Sequence, residues 1–344
     1  MPTPRLAIIA DDLTGALDAA APLAAAPGGV AVACRPDDLA DAFASGAGIV
    51  AVSTRTREAS PAVARDRVAA VVAALPPGIR IVKKIDSRLK GNVAEELEPL
   101  ADRPLVVLPA IPELGRMVRD GSLEGFGVER PLPVRAALGR FGAAAHVPDT
   151  IRQCDMVREV TGAPAHAVLV GARGVTQALA TVLGLPAPPA IGALPTPLCF
   201  VIGSTDPITL AQVEALRSAR PDLVCVEAPA GSVPGPPPRG PGAQLLLLQV
   251  VAGPQTRPER VAEALARGAL PYLQTVRSML LTGGATAEAV LDALGIALLI
   301  VAGEALPGLP VCRAGGRMLV TKSGGFGSPD AFVRLAGAPA KAEA

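Results

Sequence analysis

A chain of 344 residues, half of them hydrophobic, has enough apolar surface for two packed cores and excludes wholesale disorder. Its 32 basic and 31 acidic residues leave a net charge of +1, so no general field draws it to nucleic acid or to an acidic membrane. With no Trp, one Tyr and six Phe it also lacks aromatic platforms for single strands.

The first element is a mostly apolar strand over 5–10, with only five apolar residues before the first carboxylates, too few for a signal-peptide core. It ends in Asp11-Asp12-Leu13-Thr14-Gly15, and an Ala-rich helix runs on to about residue 26. Asp12 or Thr14 can cap that helix. Two adjacent aspartates exceed the need of one cap. At a strand terminus the second can face a cleft, accept a hydrogen bond from a substrate hydroxyl, or hold a hydrated Mg²⁺.

Strands are expected over 30–33 and 48–52, the latter ending in Ser53-Thr54-Arg55-Thr56-Arg57 before a helix over 61–75. Arg55 has the planar fork that suits a carboxylate or phosphate, with a plain surface arginine as the alternative. Residues 46–51 nominally fit G-x-G-x-x-A. They precede a strand instead of following one, which removes them as a dinucleotide fingerprint.

The densest polar stretch is Lys83-Lys84-Ile85-Asp86-Ser87-Arg88-Leu89-Lys90-Gly91-Asn92, after a buried strand over 79–82. Asn92, the only asparagine in the chain, stands three residues before Glu95 and reads as a capping-box start for a helix over 93–97. A strand over 104–109 runs into Pro112, Glu113, Gly115 and Arg116, then Arg119-Asp120-Gly121. Four strands with polar groups just after them predict a parallel, doubly wound sheet binding its ligand along the carboxyl edge. Residues 124–145 read as loop, 155–160 as helix, 167–170 as strand and 175–183 as helix.

Prolines over 185–197 form the clearest linker and place a domain boundary near residue 190. The second half restarts with a strand over 198–202, then Gly203-Ser204-Thr205-Asp206 and a helix over 209–219. Further strands are expected over 224–226, 245–251, 279–282 and 318–321, with one helix over 259–266 and another running from the Gly283-Gly284-Ala285-Thr286 turn to 294. A Gly/Pro-rich loop covers 229–241. No uncharged apolar run reaches 18 residues: the longest candidate, 289–303, carries Asp292 and Gly295. Five scattered cysteines without a C-x-x-C pair suit a reducing compartment, so a soluble, cytoplasmic protein is expected.

Three Gly/Ser/Thr-rich turns in the second half each follow a strand, and their backbone N–H groups can form an anion nest. Carboxylates with Arg and Lys at strand ends of the first half suit a small, polyhydroxylated anion. Phosphoryl transfer needs positioning and charge neutralisation, which these groups can supply. The chain has no G-x-x-x-x-G-K-[ST], H-E-x-x-H or G-x-S-x-G motif, and only two His.

Ile9-Ala10-Asp11-Asp12-Leu13-Thr14-Gly15-Ala16 with Asp18, the 83–92 stretch, and Pro109-Ala110-Ile111-Pro112 with Gly115-Arg116 and Asp120-Gly121 resemble blocks of the four-carbon acid sugar kinase family. Gly203-Ser204, Thr282-Gly283-Gly284-Ala285-Thr286-Ala287 and Lys322-Ser323-Gly324-Gly325-Phe326-Gly327 resemble its nucleotide-binding blocks. The resemblance implies two α/β domains, each a mainly parallel sheet flanked by helices, with the active site in the interdomain cleft. Residues 1–190 would bind the acid sugar and 198–335 the nucleotide, leaving 336–344 as a frayed tail.

It also implies an ATP-dependent kinase, with Mg²⁺, acting on the terminal hydroxyl of a threonate, erythronate or 3-oxo-tetronate. Asp12 and Asp86 are the candidate catalytic residues. Asp11, Thr14, Arg55, Lys84, Ser87, Arg88 and Arg116 would bind the acid. Ser204, Gly283, Gly284, Ala285, Thr286, Lys322, Gly324 and Gly325 would bind ATP. The resemblance leans towards a homodimer, with no nucleic-acid or membrane partner. The chain departs from the family at Arg88, where threonine is usual, at Asp206, where a small hydroxyl residue is common, at Ala285, where an acid is usual, and in a shortened segment after Gly121. The alternatives are a non-catalytic sugar-acid or nucleotide binding protein and a kinase for another small hydroxy acid.

Overall fold

The computed structural model describes residues 5–235, 244–254 and 257–337. The fold divides into two compact units between Pro188 and Pro189.

In the N-terminal unit, apolar runs of four or five residues form strands buried on both faces. They are β1 (Leu6–Ala10), β2 (Val30–Ala33), β3 (Ile49–Ser53), β4 (Arg80–Lys84) and β5 (Leu105–Leu108). A small antiparallel sheet follows, β6 (Arg116–Arg119), β7 (Ser122–Gly125) and β8 (Leu132–Pro133), before β9 (Val168–Gly171) returns to the main sheet. The main sheet runs β2-β3-β1-β4-β9-β5 with every pair parallel. The intervening helices are α1 (Leu13–Ala20), α2 (Leu39–Ala44), α3 (Pro61–Ala74), α4 (Val93–Leu97), α5 (Val134–Ala137), α6 (Gln153–Gly162) and α7 (Arg173–Val182). Register positions the site. Ala10 pairs with Ser53 on one side and Lys84 on the other, so the segments leaving β1, β3 and β4 emerge side by side.

The C-terminal unit repeats the alternation. Its strands are β10 (Leu198–Ile202), β11 (Leu223–Pro229), β12 (Leu245–Val251), β13 (Ser278–Thr282), β14 (Leu298–Leu306), β15 (Leu309–Ala314) and β16 (Arg317–Lys322). Helices α8 (Pro207–Ala219), α9 (Pro258–Leu273), α10 (Gly284–Ala293) and α11 (Ala331–Ala336) accompany them. Strands β11-β12-β10-β13-β16 are parallel, and β15 and β14 continue antiparallel. Its core includes Phe200 and Phe332, whose rings lie 5.4 Å apart.

Four expectations are corrected. Residues 122–125 and 132–133 are strands where a loop begins in the sequence reading, because two- to four-residue strands are too short to show alternation. Helix α9 extends past the expected 266 to Leu273. Gly268 and Pro271 are poor helix formers, but burial of Ala269, Tyr272 and Leu273 overrides them. Strand β15 carries Pro310, which hid it. Ala336, placed in a frayed tail, ends α11 and is buried in the core. The rest of that tail from 338, and the part of the 229–241 loop from 236, lie outside the described residues. Among the described residues no helix is long and apolar enough to cross a membrane.

Candidate functional site

Asp12 follows β1 and caps α1: its Oδ1 accepts from Gly15 N at 2.7 Å, and its Oδ2 accepts from Thr14 Oγ1 at 2.7 Å. Thr14 thus fixes the cap from within the first turn. The guanidinium that faces both aspartates is Arg57, beyond β3. It donates to Asp11 Oδ2 and Oδ1 at 2.8 and 2.9 Å, and to Asp12 Oδ2 and Oδ1 at 2.7 and 2.9 Å. Burial pushes the Asp11 carboxyl up, but the charges of Arg57 and Lys84 outweigh it and hold it below the usual range. Burial likewise opposes the charge on Arg57, and Asp12 and Asp11 more than restore it.

Lys84, at the end of β4, is buried, donates to Ile85 O at 2.8 Å and lies against Gly15 of α1. A Cβ at Gly15 would sit 2.9 Å from its Nζ and collide with Asp12 Oδ1, so only glycine lets lysine and aspartate meet there. Its neighbour Lys83 points to the other face of the strand, fully buried, in an ion pair with Glu96 at 2.7 Å. Glu96 also accepts from Thr56 Oγ1. That pair is structural.

Asp86 opens the next loop and shapes it, with Oδ2 accepting from Arg88 N at 2.8 Å and Lys90 N at 3.4 Å. Its Oδ1 lies 3.8 Å from Arg57 Nη2, outside hydrogen-bond range. Ser87 Oγ accepts from Arg116 Nη1 at 2.7 Å, and the rest of the Arg116 fork is spent on Phe126 O at 3.0 and 2.7 Å. Burial, with help from the charge of Arg88, lowers the Arg116 pKa. Arg88 is exposed.

Asn92 begins α4 without capping it. Its amide donates to Thr56 O at 2.8 Å and Ala59 O at 2.9 Å, tying the loop after β3 to this one. Gly91 adopts φ 87°, and a Cβ added there would meet the Arg57 backbone and stem at 3.4 Å. Asp11, Asp12, Thr14, Lys84 and Asp86 are therefore brought together around Arg57. Arg55 is not among them. At φ 51° its side chain turns aside, Nε donating to Cys34 O at 3.1 Å, and it lines a cavity of about 460 Å³ with Arg35 and Arg67.

Sequence reasoning named Arg57 only in passing and favoured Arg55. The positive φ at Arg55, invisible in a Ser-Thr-Arg-Thr-Arg string, breaks the strand alternation that would have told them apart. Arg173, at the start of α7, was also missed. It is buried and pairs with Asp18 Oδ1 at 3.3 Å.

In the C-terminal unit the three Gly-rich turns converge. A Cβ at Gly203 would collide with Thr286 Oγ1, and one at Gly324 would lie 2.8 Å from Ser204 Oγ. Ser204 N reaches Thr282 Oγ1 at 3.4 Å. The two helices that start here differ. Asp206 caps α8 through its carboxylate on Ile208 N at 2.9 Å, which closes that end to an anion. Helix α10 starts after Gly283, φ 89°, with no side-chain cap, which leaves the first-turn N–H groups of Gly284, Ala285 and Thr286 without a capping side chain and suited to an anion.

Lys322, at the end of β16, does not project from the turn. Its Nζ donates to Gly324 O at 2.7 Å, Thr209 Oγ1 at 2.8 Å and Ser323 O at 3.1 Å. Burial brings its pKa down to about 8, partly opposed by Asp206. The ammonium braces the backbone of Gly324, and beyond it Gly325, from beneath. Gln212 holds the far end of the same loop through Phe326 O and Ser328 O at 3.0 and 2.9 Å.

The paired aspartates do not form a metal site. Arg57 is paired with both, and its charge together with that of Lys84 opposes a cation there. Among the described residues no group of three or more His, Cys, Asp or Glu could hold a metal ion.

Residues 6–132 match the family model of a sugar-binding N-terminal domain, and residues 243–332 that of a nucleotide-binding C-terminal domain. The chain is 29% identical to a D-threonate kinase of Cupriavidus necator, over 94% of this chain and 95% of that protein. It is 28% identical to a 3-oxo-tetronate kinase of Methylobacterium radiotolerans, over 96% and 98% respectively. A solved structure from Salmonella typhimurium superposes with a TM-score of 0.68 at 17% identity, covering 96% of this chain and 98% of that one, which establishes a shared fold.

Proposed function

Because this chain belongs to the four-carbon acid sugar kinase family, we propose that it transfers the γ-phosphoryl group of ATP to the terminal hydroxyl of a threonate-type acid. The acid binds to the N-terminal unit and the nucleotide to the C-terminal unit. The single observation that carries this reading is the Arg57-centred cluster, which gathers Asp11, Asp12, Asp86 and Lys84 at the carboxyl edge of three adjacent strands.

Each group takes a role from the bonds it has left. Asp11 and Asp12 spend their oxygens on Arg57, Thr14 and Gly15, so they position Arg57 and the start of α1. Asp86 keeps Oδ1 outside hydrogen-bond range of Arg57, and it is the general base. It takes the proton of the acceptor hydroxyl. The alkoxide oxygen bonds to the γ-phosphorus, and the bond from that phosphorus to the β–γ bridging oxygen breaks, releasing ADP. Lys84 and Arg57 stabilise the transferring phosphoryl charge. Arg88, exposed beside this group, binds the acid's carboxylate.

On the donor side, the start of α10 with Ser204, Gly324 and Gly325 holds the nucleotide phosphates, while Lys322 keeps the last turn in shape. Mg²⁺ enters as part of the MgATP substrate. Location in the cytoplasm belongs to the same proposal, supported by five scattered cysteines without a C-x-x-C pair.

The experiment is coupled ADP release with a panel of four-carbon acids, glycerate and pentonates. Turnover confined to the four-carbon acids is expected. Binding of acid and ATP without turnover would leave a non-catalytic binding protein, and preference for glycerate or a pentonate would reassign the substrate.

A further inference from the structure

At the edge of the N-terminal sheet where the strands begin, opposite the Arg57 cluster, lies a cavity of about 510 Å³. This is within the usual size of small-molecule sites. Its walls include Leu6, Ile49, Leu179 and Leu183, with Arg5 and Arg80 among them. Leu6, Ile49 and Arg80 form one register row across β3, β1 and β4. Gly46 and Gly48 also line it, and no atom stands within 4 Å of where a Gly46 Cβ would be. These are the glycines of the G-x-G-x-x-A segment that follows no strand and serves no dinucleotide. Their place in the fold gives them another use.

Arg80 decides the chemistry. Among the described residues its Nε is buried without a hydrogen-bond partner, and burial is the cause of its lowered pKa, with no described acid opposing it. Among the described residues no acidic one lines the cavity. A half-buried guanidinium lacking an acceptor is costly unless something else supplies one. Among the described residues no side-chain hydroxyl or amide lines the cavity either, a lining that does not suit a polyhydroxylated acid. We propose that this cavity binds a small carboxylic acid with an apolar body, its carboxylate on Arg80 and its hydrocarbon among the leucines. The site is separate from the proposed kinase chemistry and stands whether or not that chemistry is found.

Isothermal titration of the full chain with sodium hexanoate tests it. One site is expected, weakened about tenfold or more by Arg80→Met, which removes a charge-assisted hydrogen bond. Leu183→Asp, at a side chain 50% exposed and so tolerant of substitution, is expected to weaken binding by repulsion. It decides the matter should Arg80→Met fail to fold. The uncharged 1-hexanol should bind at least tenfold more weakly than hexanoate. Absence of hexanoate binding to the wild type, unchanged affinity in the folded variants, or equal affinity for 1-hexanol would overturn the proposal.

Discussion

Arg57 and Asp86 sit 3.8 Å apart and are expected to answer mutation differently. Asp86→Asn keeps an acceptor for the Arg88 and Lys90 amides, so the loop should hold, and kcat should fall about 10²- to 10⁴-fold with little change in unfolding temperature. A loss under threefold would remove Asp86 as the base. Arg57→Met leaves two buried carboxylates uncompensated and should cost about 3 kcal/mol by urea denaturation, the low end for a broken buried pair because the Arg57 side chain is 21% exposed.

The sign with pH follows from Asp11. Its folded pKa is depressed, so its contribution is present above the unfolded value and lost as pH falls through the folded one. Without Arg57 the depression shrinks, and the acid limb of stability measured by denaturation should move to higher pH. The grouping of Asp12, Thr14, Lys84 and Asp86 at one sheet edge was legible because each lies at or just after a strand end. Arg57 was not, since a left-handed residue at position 55 turns the chain without leaving any mark in composition. The role of Asn92 was misread for a related reason: its partners, Thr56 and Ala59, are more than thirty positions away.

Most strands, and the helices other than α2, α5 and α11, followed from apolar runs and caps, because strands buried on both faces need no alternation to be recognised. What remained hidden was made by pairing: β6, β7 and β8 are too short to declare themselves, and β15 contains Pro310. Convergence of the three Gly-rich turns could be hoped for from their repetition, but only the fold brings Gly203 against Thr286. Gly203→Ala should push these turns apart, raising KM for ATP about tenfold or more while leaving acid binding to the N-terminal unit intact. Equal loss of both would point to unfolding instead.

The brace under the last turn has its own signature. A lysine whose folded pKa is lowered to about 8 binds fewer protons folded than unfolded above that value, so stability rises as pH increases from about 8 towards the unfolded value near 10.5. Lys322→Met should flatten that slope in denaturation curves taken across the interval. An unchanged slope would mean the ammonium is not held as described.

Across the whole chain, near-neutral charge and the scarcity of aromatics offered no general attraction for nucleic acid or an acidic membrane, and two rounds of strand and helix pointed to two α/β units. The order of motifs then carried more than any one of them, since each block alone has an ordinary structural explanation. Substrate identity was least legible, because Arg88 stands where the family usually has threonine and the pocket's shape depends on loops that composition does not describe. The central claim is a phosphoryl group moved from ATP to the terminal oxygen of a four-carbon acid. ³¹P NMR of the chain incubated with MgATP and D-threonate tests it directly. A new phosphomonoester signal coupled to the terminal methylene protons, appearing with ADP, is the predicted result. ADP and inorganic phosphate with the acid unchanged, or no change in ATP, would contradict it.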